Sequence, residues 1–371
     1  PTFHVFDTLL YFYNKTKNEK YLKPVALILN KLCKKGIYDH VQGGISRYTV
    51  DEEWLIPHFE KMLYDNVQFI SLLAKYLKAN PKDYYLQKIN QTAQFIIKDF
   101  STKDSGLLGT AYDADSEGVE GKYYTYDYNE LKAIEGIENY FDISPNGNWE
   151  GKIILDELKE PNKKIIEQLL QIRRKRKKPF FDNKIQLDLN CMWISSLINL
   201  HSVMPKENYL KTAEKFFEKI EKKYLEKDIY HSYSKNISFL EDYAFLIQCL
   251  LDLSDCTLNP KYRIFAKKYC DETIKKFYIN EKKIFQKNEK NKNDIFRDPI
   301  DISDNTMPNG NSIMLINFSR LGYKKEADEL HGSLNGYLNV YKNFMLSSLK
   351  SIDFYNEIKN GKNCNTEGCS V

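Results

Sequence analysis

The chain is organised around GGISRYTVDEEWLIPHFEKMLYD, residues 43–65, which holds Arg47, Asp51, Trp54, His58, Glu60, Lys61, Tyr64 and Asp65. Gly43 and Gly44 free the backbone for a turn that a residue with a Cβ would strain. Pro57 suits the first turn of a helix, because its fixed φ fits there and its missing N–H is not needed. From His58 onward, helical spacing sets His58, Lys61 and Asp65 on one side, with Glu60 and Tyr64 on an adjacent one. An imidazole, carboxylates, a phenol and an ammonium then gather at the mouth of one helix. The same spacing also fits a helix start with surface ion pairs, so the residues alone leave both readings open.

Outward from this stretch the pattern is helical. Residues 3–13 and 22–33 are apolar-periodic and split by a polar linker, which reads as an antiparallel helix pair. Residues 58–78 and 84–100 form a second pair around the breaker Asn80-Pro81. Further pairs are expected at 185–203 with 209–224, 239–253 with 262–277, and 312–321 with 324–340, then a single helix at 345–358. Repeated pairs of about 50 residues mean a solenoid or a closed toroid. Solenoids usually show a sequence repeat and none is evident here, which favours the toroid. Residues 107–180 break the pattern. KYYTYDY, residues 122–128, alternates aromatics after the Gly-containing turn at residues 118–121 and reads as a strand, and Asn146-Gly-Asn148 reads as a turn. This region is expected to be a β-hairpin and short-helix insertion at one end of the toroid, where loops on a rigid scaffold build pockets.

Composition narrows the classes. At 371 residues, 42% hydrophobic and 14% aromatic, with 27 Tyr and 21 Phe, the chain is no disordered polymer. A net charge of +4 is small for this length and leaves no nucleic-acid footprint. No apolar run approaches the roughly 20 residues that cross a bilayer, so no membrane partner is expected. The seven cysteines are odd in number, and Cys33, Cys191, Cys249 and Cys270 sit in apolar helical contexts, which reads as reduced and cytoplasmic.

The motif GGxxRYxVDxxWxxPHFEKMLYD resembles the signature of the YyaL-type proteins, the family of spermatogenesis-associated protein 20. That resemblance covers nearly the whole chain. It implies an all-α fold, an (α/α)6 toroid related to N-acylglucosamine 2-epimerases and six-hairpin glycosidases, with the small β-hairpin insertion. It also implies that an N-terminal thioredoxin-like domain belongs to the full-length protein and is absent from residues 1–371, which are expected to form one barrel domain.

Other motifs carry the resemblance further. AYDADSEGVEG, residues 111–121, places Asp113, Asp115, Glu117 and Glu120 close together and resembles the family's DADSEGxEGxYY. Alternate carboxylates could hold a hard cation, but D-x-D-x-E lacks the glycine and the terminal glutamate of an EF-hand, so no metal and no cofactor are expected. Paired carboxylates for acid–base work at a sugar ring, or an acidic turn capping backbone N–H groups, are the other readings. LEDYAFLIQCLL, residues 240–251, resembles LDDYAFLIxGLL and puts Asp242 and Tyr243 at a helix start, where Asp242 is either a cap or a cavity carboxylate. FDNKIQLDLN, residues 181–190, resembles DDKxLxxWN with Asp182, Lys184 and Asn190 kept, Asn183 in place of an acid and Leu189 in place of Trp. DNTMPNGNS, residues 304–312, resembles DxxxPSGNS and keeps Asn311.

His4, in a stretch like the family's KFPxPxxL, and His40, His201, His231 and His331 read as structural or surface residues. RRKRKK, residues 173–178, reads as a solvated basic loop rather than a nucleic-acid patch. Cys364 and Cys369 form a C-x4-C that resembles the family's tail, as a frayed end or a redox pair.

The expected function is therefore a carbohydrate-directed enzyme of the epimerase or glycosidase kind, implied by fold kinship. His58 with Asp113, Asp115 or Asp242 would move the proton. Arg47, Glu60, Tyr64, Asp65, Asp182, Tyr243 and Asn311 would bind a small-molecule ligand, and Trp54 would stack a sugar ring. The alternative is a non-catalytic binding barrel that serves a thioredoxin-like domain in redox homeostasis.

Overall fold

The computed structural model describes residues 2–225, 229–232, 237–290 and 299–361. The first helices are α1 (Phe3–Thr16), α2 (Glu19–Lys34), α3 (Leu63–Ala79) and α4 (Asp83–Phe95), the last continued by a π-turn, Ile96–Phe100. Two short ones follow, α5 (Tyr128–Lys132) and α6 (Lys163–Arg173). Then come α7 (Leu187–Val203), α8 (Tyr209–Ile220), α9 (Leu240–Thr257), α10 (Pro260–Phe277), α11 (Gly310–Leu321), α12 (Lys324–Tyr341) and α13 (Leu346–Lys359). Each of the expected long helices is present. Their limits follow local chemistry. Asn259 accepts the Lys261 N–H ahead of Pro260 at the start of α10, Asn309 accepts the Ser312 N–H to open α11, and Gly322 in the left-handed region ends it.

The described chain forms two compact units. One spans Glu19–Lys184. In it α3 packs on α4, and a second core gathers Tyr126, Leu131, Ile137, Phe141, Ile153, Leu155 and Leu169 of the insertion around Val41. The other unit holds Thr2–Asn18 and the chain from Ile185 onward. There α7, α9, α11 and α13 pack each on the next, while α8, α10 and α12 each back the helix before them and α1 lies on α13. The alternation shows in composition. Helices α7, α9 and α11 bury residues on nearly every side, whereas α8 buries only a stripe.

Two local expectations are corrected. Helix α3 starts at Leu63, not at His58. Pro57–His58 pairs antiparallel with Tyr48–Thr49, and Lys61–Met62 pairs with Ala111–Tyr112, which in turn pairs with Phe181–Asp182. Neighbouring strands supply the hydrogen bonds, so the backbone stays extended through Met62 and side chains alternate with period two. His58 and Glu60 are half-buried while Phe59 and Lys61 are buried. Lys61 therefore does not share a face with His58.

The second correction concerns KYYTYDY, which is a turn rather than a strand, with only Tyr126 bridged to Ile153. The hairpin lies just before it, Asp115–Ser116 against Val119–Glu120. Its turn residues Glu117 and Gly118 both have positive φ, 55° and 75°, the geometry that matches the twist of paired strands. The alternating tyrosines serve a cation instead. The Arg173 guanidinium sits 5.5–5.7 Å from the ring centres of Tyr123, Tyr124 and Tyr126.

Candidate functional site

In the first unit, charged residues divide into a buried set and a half-exposed set. Gly43 and Gly44 take φ of 90° and 83°, and a Cβ on Gly44 would lie 2.7 Å from Asn66 Oδ1. That turn brings Asp39 to Lys61 and Arg173. Lys61 Nζ is 2.7 Å from Asp39 Oδ2 and donates to the Gly43 carbonyl at 3.0 Å. Arg173 Nη1 reaches both Asp39 oxygens at 2.6 and 2.7 Å. Burial alone would raise the Asp39 carboxyl, but Arg173 and Lys61 hold it well below the carboxylate range.

Beside this set, Glu157 takes Lys88 at 2.7 Å, His40 at 3.1 Å and the Tyr84 hydroxyl at 2.8 Å. Burial opposes its ionisation, yet His40 and Lys88 bring it down to about 2. The basic run is solvated at Arg174, Lys175, Lys177 and Lys178, but not throughout. Arg173 is buried, Arg176 bonds Glu130 at 2.6 Å and the Thr125 carbonyl, and Lys178 pairs with Asp99.

The half-exposed set lies around His58. Arg47 Nη1 lies 2.9 Å from Glu60 Oε2, and His58 Nε2 is 3.8 Å from the same oxygen. His58 Nδ1 lies 2.9 Å from Glu120 Oε1 on the hairpin, and the ring stacks on Tyr48 with centres 5.0 Å apart. Tyr64 and Asp65 follow in the first turn of α3. Burial pushes the Asp65 carboxyl up to about 7, and its Oδ2 is buried with no hydrogen-bond partner among the described residues. Burial likewise raises the Tyr64 phenol to about 12, with Arg47 pulling the other way.

The remaining residues named from sequence are placed as follows. Asp113, just before the hairpin, and Asp115, on it, are exposed, and the Asp113 carboxylate accepts the Asp115 N–H at 3.4 Å. Among the described residues, the carboxylates paired with His58 are Glu120 and Glu60 instead. Asp51 caps its own loop, accepting the N–H groups of Glu53, Leu55 and Ile56 at 2.6–3.0 Å. Trp54 sits in that loop at φ 67°, and among the described residues no hydrogen bond, ion pair or ring stack joins it to His58. Asp182 pairs with Lys184 at 3.3 Å.

In the second unit, Asn311 is fully buried and spends its amide on the backbone of Phe285 and Asp301. The Tyr243 hydroxyl accepts from Lys276 at 2.7 Å. Both side chains are thus engaged within the protein. Asp242 is fully buried in the first turn of α9. It caps that turn, accepting the Phe239 N–H at 2.9 Å, and it also meets His231 Nδ1 at 2.9 Å. Asp188, in the first turn of α7, lies 4.0 Å from the same nitrogen. His231 is thus no surface histidine, and burial together with Asp242 raises the Asp188 carboxyl. Sequence reasoning passed over Asp188 because an acid in a first helical turn looks like a dipole partner. Of the other histidines, His4 and His40 are buried. Cys364 and Cys369 lie outside the described residues, and the described cysteines are free. No helix among the described residues is long and apolar enough to cross a membrane.

No protein-family model matches the chain. In sequence it is similar to a protein of Caenorhabditis elegans described only as uncharacterized, 28% identical over 397 residues, covering 89% of this chain and 54% of that protein. It is also similar to human spermatogenesis-associated protein 20, 25% identical over 313 residues, covering 67% of this chain and 40% of the human protein. The chain spans about half the length of these relatives or less. Among solved structures it is similar to cellobiose 2-epimerase from Bacillus thermoamylovorans, with a TM-score of 0.58 at 13% identity over 92% of this chain and 75% of the other. The cellobiose 2-epimerase from Spirochaeta thermophila gives 0.54 at 10% identity, over 82% and 66%. The chain is therefore related to the spermatogenesis-associated-protein-20-like proteins and has the all-α (α/α)6 toroid fold.

Proposed function

We propose that the chain is the barrel portion of a carbohydrate-directed enzyme, of the sugar epimerase, isomerase or glycosidase kind, that works by proton transfer. The fold shared with cellobiose 2-epimerases supports the substrate class. The observation that carries the chemistry is a half-exposed imidazole held by a carboxylate, close in sequence to a buried carboxyl that titrates near neutral pH. His58, oriented through Nδ1 by Glu120, takes the proton at Nε2. Asp65 keeps or yields a proton around pH 7, the condition for returning one to the opposite face of a sugar carbon. Arg47, Glu60 and Tyr64 bind hydroxyl groups, and Trp54 stacks on the ring. In a longer protein a thioredoxin-like domain accompanies this portion.

The test is solvent-deuterium incorporation at sugar carbons, read by NMR over a panel of mono- and disaccharides, alongside a thermal-shift screen. Wild type incorporates deuterium or hydrolyses one of these sugars, and a ligand at about 100 times its Kd stabilises it by about 2.7 kcal/mol. His58→Ala and Asp65→Asn, both folded, lose turnover by about 100-fold or more. Folded wild type that neither binds nor converts any sugar overturns the proposal.

A further inference from the structure

We propose that Asp188, His231 and Asp242 hold a divalent first-row transition-metal ion. One ligand atom from each lies within 4.8 Å of the others. His231 Nδ1 is 2.9 Å from Asp242 Oδ1 and 4.0 Å from Asp188 Oδ1, so one ring nitrogen faces both carboxylates. An ion about 2.0–2.4 Å from each of three atoms so spaced sits at ordinary metal–nitrogen and metal–oxygen distances. One imidazole with two carboxylates suits Zn2+, Mn2+ or Fe2+, where calcium and magnesium favour oxygen alone. Three protein ligands leave coordination positions open to water or to a ligand hydroxyl.

The surroundings hold both carboxylates in place. Asp188 and Asp242 are 4% and 0% exposed. Asp242 Oδ2 is pinned by the Phe239 N–H at 2.9 Å, which leaves Oδ1 for the imidazole. Asp188 accepts the Leu189 N–H at 2.8 Å. Both acids stand in the first turn of a helix, where the dipole favours the anion that a metal requires. Fixed orientation of this kind is what outer contacts give to metal ligands.

A separate observation points the same way. Glu241 Oε2, next in sequence to Asp242, is buried with no hydrogen-bond partner among the described residues. Lys287, the cation that reaches Glu241, pairs with Asp301 at 3.5 Å. Two buried carboxyl groups thus face a single imidazole. Uncompensated buried charge is costly, and a divalent cation offsets it. The sugar-directed reading rests on the other unit, so neither proposal depends on the other.

Chelator-stripped protein titrated with Mn2+, by calorimetry and by electron paramagnetic resonance, tests the site. Manganese avoids the cysteines, because thiolates prefer softer ions. Wild type is expected to take up one Mn2+ that Zn2+ displaces, more tightly as pH rises and proton competition falls. His231→Gln and the isosteric Asp188→Asn, with circular dichroism confirming the fold, weaken uptake by at least about 10–100-fold, while His58→Ala binds as wild type does. The proposal is overturned if folded wild type takes up neither ion. It is equally overturned if the affinity of either folded variant equals that of wild type; Asp188→Asn decides the matter should His231→Gln fail to fold.

Discussion

Along residues 57–62 the two sides of one extended stretch meet opposite fates. Inward, the Lys61 and Asp39 side chains are 1% and 4% exposed, and Arg173 is 2%. Outward, His58 is 30% exposed, Glu120 43% and Arg47 41%. The contacts are of similar length on both sides. Their energetics are not. Exposed pairs in high dielectric contribute roughly 0–1 kcal/mol. A buried pair gains little over an apolar replacement, yet costs about 3–5 kcal/mol when one partner is removed. The inner face is therefore a lock, and the outer face is free to act on something else.

The largest effect is expected at Asp39. Asp39→Ala leaves Lys61 and Arg173 buried without their shared anion and should cost about 3–5 kcal/mol in urea unfolding. Replacing all three with apolar residues of similar volume should recover most of that loss. A cost under about 1 kcal/mol for Asp39→Ala would mean that the inner face behaves like the outer one.

Asp65 comes next, and it crosses the boundary between the two faces. Its folded carboxyl titrates at about 7, against about 4 for an ordinary aspartate. A raised acid favours folding only while protonated. Its charge therefore costs stability progressively as pH climbs from about 4 to 7, and fully above that. Asp65→Asn should stabilise the protein by a few kcal/mol at pH 8 and leave it nearly unchanged at pH 4. Thermal melts of both proteins across that window check the sign. If the variant is less stable than wild type at pH 8, the carboxylate has a partner that makes its charge welcome.

Much of this arrangement was legible in the sequence and some was not, for identifiable reasons. The long helices follow from apolar periodicity, and Asn309, Pro260 and Gly322 mark their ends. That Arg47 and Glu60 lie beside His58 was legible, because they sit with it in one continuous stretch. Their faces were not, because period 2 and period 3.6 agree over a few residues, and Pro57 is as acceptable in a paired extended segment as in a first helical turn. The choice was settled by Ala111–Tyr112, fifty residues away, and nothing local reports such a partner. Arg173 shows the same limit. A run of basic residues reads as solvated until Asp39, 134 positions earlier, turns out to face it. His231 and Asp188 are each unremarkable alone, and only packing of α7 on α9 gives them a shared neighbour in Asp242.

The smallest stability effect is expected at Glu120, and it is the more informative for being small. Glu120→Gln removes the charge beside His58 Nδ1 but keeps a side chain of the same length. With the partners 30% and 43% exposed, the change in stability should stay under about 1 kcal/mol and shrink further at high salt. A pair that contributes so little to folding, held by a hairpin whose turn demands two positive-φ residues, is better explained by what it does to the imidazole. Glu120→Gln should therefore leave the melting temperature within error while lowering turnover of any sugar that wild type converts, with KM less affected than kcat. An equal loss in KM alone would make Glu120 a ligand contact, and a large drop in melting temperature would return it to the inner, structural set.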